Sequence, residues 1–553
     1  MATLVESIFP PRTLRLIQNL LAELGLSRSK EARDYSAWMA SAELNKRASI
    51  SQDQLKTKPL ISIVVPCYNT PAKYLQPMVY SVINQLYKHW ELVLANGSTE
   101  AKAQERIQAC QDIDTRVRVI QLKCNLGISG NTNEAIKAAR GEFIAFLDHD
   151  DTLTDDALFE VVKAINEHPQ AGLIYSDEDK IDDQGRFQDP HLKPDFSPDL
   201  LTYVNYITHF LVIRRDLIKK VGMLDSTRDG AQDYDLILKI ADLRPEIVHI
   251  RKILYHWRIT RGSTAQDFAV KPKVRQAGVE ALKDHLRRNE LKGQVSALMD
   301  RPGFYRVSYD SPANQEVSLI VGRFGSGESA QKCAESLLAK TDIEGLELEI
   351  ISPFKLEISA GARFKTVNSE PFLDRAVETA RGDVLIFINE IVQPEDENWL
   401  RELVGIANLP RVGAAAPLLK TEEGTITDCG LVETEGQLST LFVGEKVDSY
   451  TCFGYPEWSR NVDALSGRVF ALKRGNLKFF EPEIHRGGFG FNTQFFYDLS
   501  RRHELYNVVW TSARLNQLTD TPLRSGRTFF NPQLRFYRPK LVLRNEYPEE
   551  RDD

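Results

Sequence analysis

From Leu60 onward the chain alternates short apolar runs with helix-patterned segments, and no other feature restricts its folding more. LISIVVPCYN is an apolar run that ends in Pro66 and a polar turn, and the next segment carries Leu75, Val79, Val82, Ile83 and Leu86 at helical spacing. ELVLANGST, RVRVIQL and FIAFLDHDD supply further strands, the last preceded by NLGISGNTNEAIKAARG, a glycine-containing turn and helix. Strands alternating with helices predict an α/β fold with a parallel, doubly wound sheet and ligands along the carboxyl ends of its strands. At 553 residues the chain exceeds a single core, so several domains are expected.

The run FIAFLDHDD drives five apolar residues into three carboxylates and a histidine, which places Asp148, Asp150 and Asp151 at such a strand end. Acids this crowded repel one another unless a cation joins them. The plain alternative is an acidic turn capping the helix that begins near Thr154. No GxGxxG follows the first strand and no GxxxxGK occurs, so neither a dinucleotide site nor a phosphate loop is supported. A net charge of −7 argues against a general nucleic-acid binder. The six cysteines show no CxxC pair and read as reduced thiols of a cytoplasmic protein. Neither a signal peptide nor a bilayer-length apolar run is evident, so a soluble or peripheral protein facing the cytoplasm is expected.

After the acidic run come a helix (Asp155 to Glu167), the strand AGLIYSDEDK and the long loop DDQGRFQDPHLKPDFSPDLL, then NYITHFLVIRRDLIKKVG, RDGAQDYDLILKIAD and IVHIRKILYHWRITRGST. Taken in order, VVPCYN, NLGISGNTNEA, ARGEFIAFLDHDD, GAQDYDL and YHWRITRGS resemble the motifs of a family 2 glycosyltransferase of the GT-A fold, over residues 60 to about 265. IYSDEDKID with HLKPDFSPD is similar to a bacterial subgroup that builds O-antigen, capsule and related surface polysaccharides, rhamnosyltransferases among them.

That resemblance implies an inverting transfer of a hexosyl or deoxyhexosyl group from a nucleotide-diphosphate sugar to a growing, lipid-linked glycan, assisted by Mg²⁺ or Mn²⁺. On the family pattern Asp148 faces the nucleotide ribose and Asp150 binds the metal, with Asp151 in support and His149 a solvent-facing bystander. His256 in YHWR matches a position that completes the metal shell, a simply hydrogen-bonded histidine being the equal alternative. Arg258 and Arg261 suit the diphosphate oxygens through their forked donors. Asp233 falls where the second acid of a Glu-Asp pair acts as base; Gln232 replaces the Glu, and Asp235 competes. Pro66, Tyr68, Asn69, Asn96 and Asn125 are the remaining donor-binding candidates, Asn96 standing where the family carries an acid pair. Asp177, Glu178 and Asp179 are either acceptor-binding residues or surface acids. Two rivals stay open: a non-catalytic glycan-binding or scaffold protein, favoured by Asn96 and Gln232, and a metal-dependent phosphatase.

Residues 316 to about 518 replay the first half. EVSLIVGRFG answers LISIVVPCYN, LELEIIS answers WELVLANGS, ARGDVLIFINEIV answers ARGEFIAFLDHDD, VFALKRGNLKFF answers FLVIRRDLIKKVG, and NVVWTSARLNQ answers IVHIRKILYHWR. A second GT-A-like domain is expected, with Asn389-Glu390-Ile391 in place of Asp148-His149-Asp150, no acid around Phe491 to Phe495, and Gln517 near the position of the late histidine. It reads as a degenerate copy used for packing, acceptor binding or self-association. The predicted order is a helical prefix (1–58), a catalytic domain (59–265), a helix-and-strand linker (266–315), the second domain (316–522) and a basic-aromatic tail (523–553). The tail either rests on an anionic membrane surface or packs across the two domains.

Overall fold

The computed structural model describes residues 55–259 and 272–518 apart from short breaks, together with Tyr35, Ser36 and Met39 and the backbone of three short strands within 530–543. Most of the expected helical prefix, Arg261 and the side chains of the tail lie outside the described residues.

The apolar runs form the strands expected of them. In order these are β1 (Ile61–Cys67), α1 (Ala72–Ile83), β2 (Trp90–Asn96), α2 (Ala101–Gln108), β3 (Val117–Gln121), α3 (Gly127–Ala138), β4 (Phe143–Phe146), β5 (Thr152–Leu153), α4 (Ala157–Glu167), β6 (Ala171–Ile181), β7 (Phe187–His191), α5 (Pro198–Leu201), β8 (Leu211–Arg214), α6 (Arg215–Val221), α7 (Gln232–Asp242) and β9 (Glu246–Arg258). They make one sheet in the order β3-β2-β1-β4-β8-β6-β9-β5, with β7 beside β6. Neighbours run parallel from β3 to β4 and again between β6 and β9. The fully parallel sheet expected from the pattern is corrected at β8, antiparallel to both β4 and β6, and at the short strands β5 and β7, antiparallel to β9 and β6. After β6 the chain stays at the carboxyl edge through β7 and α5 and enters β8 from there, without the crossover that a parallel neighbour needs.

The linker is α8 (Pro272–Arg288) followed by the antiparallel pair β10 (Gly293–Ala297) and β11 (Tyr305–Tyr309). The second half contributes β12 (Gln315–Val321), β13 (Leu346–Ser352), β14 (Arg363–Thr366), β15 (Val384–Ile388), β16 (Val392–Pro394), α9 (Trp399–Ala407), β17 (Val412–Lys420), β18 (Ile426–Asp428), β19 (Leu431–Thr434), β20 (Gln437–Thr440), β21 (Arg460–Val462), β22 (Val469–Lys473), β23 (Arg486–Gly487), β24 (Gly490–Phe491) and β25 (Tyr506–Gln517). Its main sheet runs β14-β13-β12-β15-β22-β17-β25-β16, the first sheet's order strand for strand. The senses also match, because β22 is antiparallel to β15 and β17 while β17 and β25 are parallel.

A buried polar clasp repeats with the strands. Ser62 on β1 donates to Glu91 on β2 (2.6 Å) and accepts the Gly141 N–H (2.8 Å), while Glu91 also accepts the Arg140 N–H (2.5 Å). In the second sheet Ser318 donates to Glu349 (3.0 Å) and accepts the Gly382 N–H (2.9 Å), and Glu349 accepts the Arg381 N–H (3.1 Å). The glycine is required by space: a Cβ at Gly141 would meet the Leu60 carbonyl and Ser62 Oγ at 2.6 Å, and one at Gly382 would meet the Ser318 nitrogen at 2.4 Å. The ARG tripeptide visible twice in the sequence is therefore the sealing turn between two adjacent strands.

The two sheets share one continuous apolar core that includes Leu201, Tyr234 and Leu282 on one side and Leu319, Trp399 and Trp510 on the other. Across the seam, Asp199 on α5 is fully buried, takes Arg411 as its ion-pair partner at 2.5 Å and accepts a hydrogen bond from Asn461 Nδ2 at 2.7 Å.

Candidate functional site

β4 ends at Phe146, and the acidic run leaves the sheet at its carboxyl edge. Asp148 lines two adjoining cavities. The larger, about 270 Å³, is bounded by Pro66, Tyr68, Asn125, Asn131 and Asp150. The smaller, about 80 Å³, reaches His209, Gln232, Asp233 and Tyr255. Segments distant in sequence thus converge on one carboxylate whose side chain is 47% exposed.

His209 is the member that sequence reasoning missed. It stands just before β8, the partner of β4, so β-pairing carries it to the acidic edge. Its Nε2 lies 3.9 Å from Asp148 Oδ2, its Nδ1 lies 3.1 Å from Glu178 Oε2, and its ring stacks on Tyr255 at 4.8 Å. Glu178 also accepts the His209 backbone N–H and is faced by Lys193 at 3.5 Å and His191 at 3.7 Å. Burial opposes the charge on His209, but the Glu178 hydrogen bond and charge, with Asp148 and Asp151, outweigh it and push the pKa up to about 9. Burial likewise opposes the Glu178 charge, yet Lys193 and the two histidines hold it well below the usual carboxylate range.

Asp148, Asp151 and His209 each offer a ligand atom, all within 4.8 Å of one another. Two carboxylates and an imidazole suit a hard divalent cation, so the donor set fits Mg²⁺ or Mn²⁺. Asp151 is the constrained member. It is buried, with Oδ2 accepting from the Tyr255 hydroxyl (2.5 Å) and Oδ1 from the Arg258 N–H (2.7 Å), and it thereby ties the acidic loop to β9. Burial, then Asp150 and Asp148, raise its pKa well above the ordinary value. Asp150 is raised too, by burial first and then by Asp148, against the pull of His149 and Arg258. His149 sits beside it, Nδ1 4.0 Å from Asp150 Oδ1 and buried without a hydrogen-bond partner.

His256 is not in this group. Alternate residues of a strand face opposite ways, and on β9 it is Tyr255 and Trp257 that turn toward His209, with ring centroids at 4.8 and 5.6 Å. His256 points to the other face, where Nδ1 meets Asp179 Oδ1 at 2.5 Å and the ring packs 4.5 Å from Phe187. Asp179 accepts in turn from the Tyr35 hydroxyl at 2.6 Å.

The other expected residues divide. Asp233, in the first turn of α7, lines the smaller cavity and accepts from Asn205 Nδ2 at 3.0 Å; burial raises its pKa, Asp148 adding and His209 opposing. Asp235 is buried elsewhere, paired with Lys239 at 2.6 Å. Pro66, Tyr68 and Asn125 line the larger cavity. Asn96 is corrected: it is fully buried and spends its amide on Ser98, Gln104 and Gln121, knitting β2 to β3. Asn69 caps the turn after β2 by accepting from the Thr99 and Glu100 N–H groups instead of lining the cavity. Arg258 turns its guanidinium to the carbonyls of Asp150 (2.7 Å) and Asp182 (3.3 Å), holding the loop from behind. Asp177, Glu178 and Asp179 are not surface acids, because β6 is an inner strand; their exposures are 1%, 8% and 0%. Asp177 accepts from the Lys193 N–H and His249, while Glu178 and Asp179 take the partners already named.

Strand register aligns the second sheet residue by residue. Phe143 and Val384 hold equivalent places beside β1 and β12, so Asp148 answers to Asn389, Asp150 to Ile391 and Asp151 to Val392. The same pairing sets His209 opposite Arg468. Across β6 and β17, Glu178 answers to Leu419 and His256 to Asn516, which moves the late position one residue from Gln517. Each member of the first module's cation cluster is therefore replaced, and Arg468 donates to Gln517 at 2.9 Å there.

Residues 62–222 match the family described as glycosyl transferase family 2. That segment is a family 2 glycosyltransferase domain. Over 494 residues the chain is 34% identical to the O-antigen biosynthesis protein RfbC of Myxococcus xanthus, covering 85% of this chain and 38% of that protein. It is also 34% identical over 489 residues to an uncharacterised protein of Sinorhizobium fredii, covering 83% of this chain and 53% of the other. The chain thus spans about half or less of the length of these relatives. Alignments this long take in the second sheet as well as the first. A mannosyltransferase from Pyrobaculum calidifontis, in complex with GDP-Man and Mn²⁺, matches at 17% identity and a TM-score of 0.33, over 48% of this chain and 74% of that one. Among the described residues no helix is long and apolar enough to cross a membrane.

Proposed function

We propose that the first module transfers a glycosyl group from a nucleotide-diphosphate sugar to a glycan acceptor with inversion. The observation that carries this reading is Asp148, shared by the cavity of about 270 Å³ and by the smaller cavity that holds Asp233. Asp148, Asp151 and His209, with Asp150 alongside, would hold Mg²⁺ or Mn²⁺. Bound there, the cation would neutralise the departing diphosphate. Pro66, Tyr68, Asn125 and Asn131 offer a ring and amides to the donor. Asp233 takes the proton of the attacking acceptor hydroxyl, and its burial-raised pKa suits a base. Asn205 fixes the orientation of that carboxylate. The first module's site is the only one of the two modules to which we assign cation-dependent transfer, because Asn389, Val392 and Arg468 replace its ligands.

The similarity to an O-antigen biosynthesis protein supports a surface polysaccharide as product. A lipid-linked acceptor and work at the inner membrane face belong to the same proposal. Asp233→Asn should reduce transfer by at least about 100-fold while nucleotide-sugar binding persists. Asp148→Asn should abolish Mn²⁺-dependent donor binding, measured by titration calorimetry. Full transfer by Asp233→Asn would remove that residue from the role. Absence of metal-dependent donor binding in the unaltered protein would favour the non-catalytic reading.

A further inference from the structure

The Asp148 site is not the only opening among the described residues. A cavity of about 480 Å³ lies on the seam between the two modules, with walls from both. From the first module come Asp195 and Arg251, joined to each other and about 60% exposed. From the second come Glu433 and Asp463, both held by Arg501 at 3.0 Å, with Arg501 52% exposed and the acids nearly 30%. Phe196 and Tyr506 add ring surface. The acidic members, Asp177, Asp195, Glu433, Asp463 and Glu504, are matched by Lys193, His249, Arg251, Arg460 and Arg501. Burial opposes the charge on His249, but Asp177 and Asp195 outweigh it and raise its pKa.

This composition selects among ligand classes. An anion entering the cavity meets carboxylates at both walls, and a cation meets guanidinium groups. A hydroxyl-rich neutral ligand avoids both penalties, since each hydroxyl can donate to a carboxylate and accept from a neighbouring arginine. Ring surface beside such pairs suits the apolar face of a sugar. We infer that the seam cavity binds an uncharged segment of a glycan chain, and that supplying its second wall is the function the cation-less module retains.

The position bears on transfer. Asp177 lines the cavity, and the next residue on β6, Glu178, holds His209. Lys193 spans the two, its N–H on Asp177 and its buried ammonium on Glu178 and the His209 carbonyl. A chain seated in the seam is therefore linked to the Asp148 site through adjacent residues of β6. This deepens the proposed function and rests on it only for calling the ligand an acceptor; glycan binding itself stands apart.

The test is an array of neutral and acidic bacterial oligosaccharides, probed with the full chain, with an Arg251→Ala/Arg501→Ala variant, and with Asp148→Asn. Far-ultraviolet circular dichroism verifies that each variant is folded. A conservative Arg501→Lys variant serves if the double alanine is not. The expected result is retention of neutral oligosaccharides by the full chain and by Asp148→Asn, reduced at least tenfold in the seam variant. Retention of acidic glycans alone, retention of none, or equal retention by the seam variant would overturn the inference. Loss of transfer in Asp148→Asn with glycan retention intact separates the two sites.

Discussion

At the scale of single residues, His209 is the group whose removal says most about the site. Its ring is oriented by Glu178 and lies beside Asp148, so His209→Ala should weaken Mn²⁺ affinity by roughly 10- to 100-fold, read by calorimetry on the nucleotide-free protein. His256→Ala should leave Mn²⁺ affinity unchanged, because that ring serves Asp179 on the opposite face. The sequence makes the wrong histidine attractive for a physical reason. YHWR places His256 in a matching motif, but only register reveals that Tyr255 and Trp257 own the site face, and register is a tertiary property. His209 lies in NYITHFLVI, where nothing local distinguishes it from a strand flank. The cavity-lining places of Asp148 and Asp233 were legible because one follows a strand and the other opens a helix, each with a strong pattern of its own. Asn96 was misplaced, and the burial of Asp177 and Asp179 was not foreseen, because exposure depends on which strands lie alongside, and the chain does not state that locally.

At the scale of elements, the clasp joining β1, β2 and the turn into β4 is the feature most exposed to test. Gly141→Ala should cost about 2–3 kcal/mol, since the new methyl meets main chain and Ser62 with no room to relax; chemical denaturation measures it. Glu91 is the acid of the same clasp. Burial opposes its charge, but Ser62, the Arg140 N–H and Arg118 more than offset this and lower its pKa. A depressed acid contributes stability that is present above its unfolded value of about 4.3 and is lost as pH falls through the folded value. The difference in melting temperature between the unaltered protein and Glu91→Gln should therefore be full at pH 6 and narrow below about pH 4. A gap that stays constant down to pH 3 would show the charge to be idle. The strands themselves were readable from apolar runs. The reversal of β8 was not, because direction is fixed by where the preceding loop delivers the chain.

At the scale of the whole molecule, the two sheets are bound through a buried charge and a common core. Asp199→Ala leaves Arg411 without its partner in the seam and should cost about 3–5 kcal/mol. Because Leu201 and Trp510 belong to one cluster, calorimetry should show a single unfolding transition for the unaltered protein; two separated transitions would contradict that coupling. The repeat was legible in the sequence as paired motifs, whereas the shared core was not, since nothing in either half names the face it presents to the other. The Ser62–Glu91–Gly141 clasp and its twin at Ser318, Glu349 and Gly382 carry a historical implication. If both halves descend from one duplicated ancestor, inheritance preserved the hardware of folding in each copy while selection released the carboxylates of one, so the chain carries its own record of which residues answer to assembly and which to chemistry.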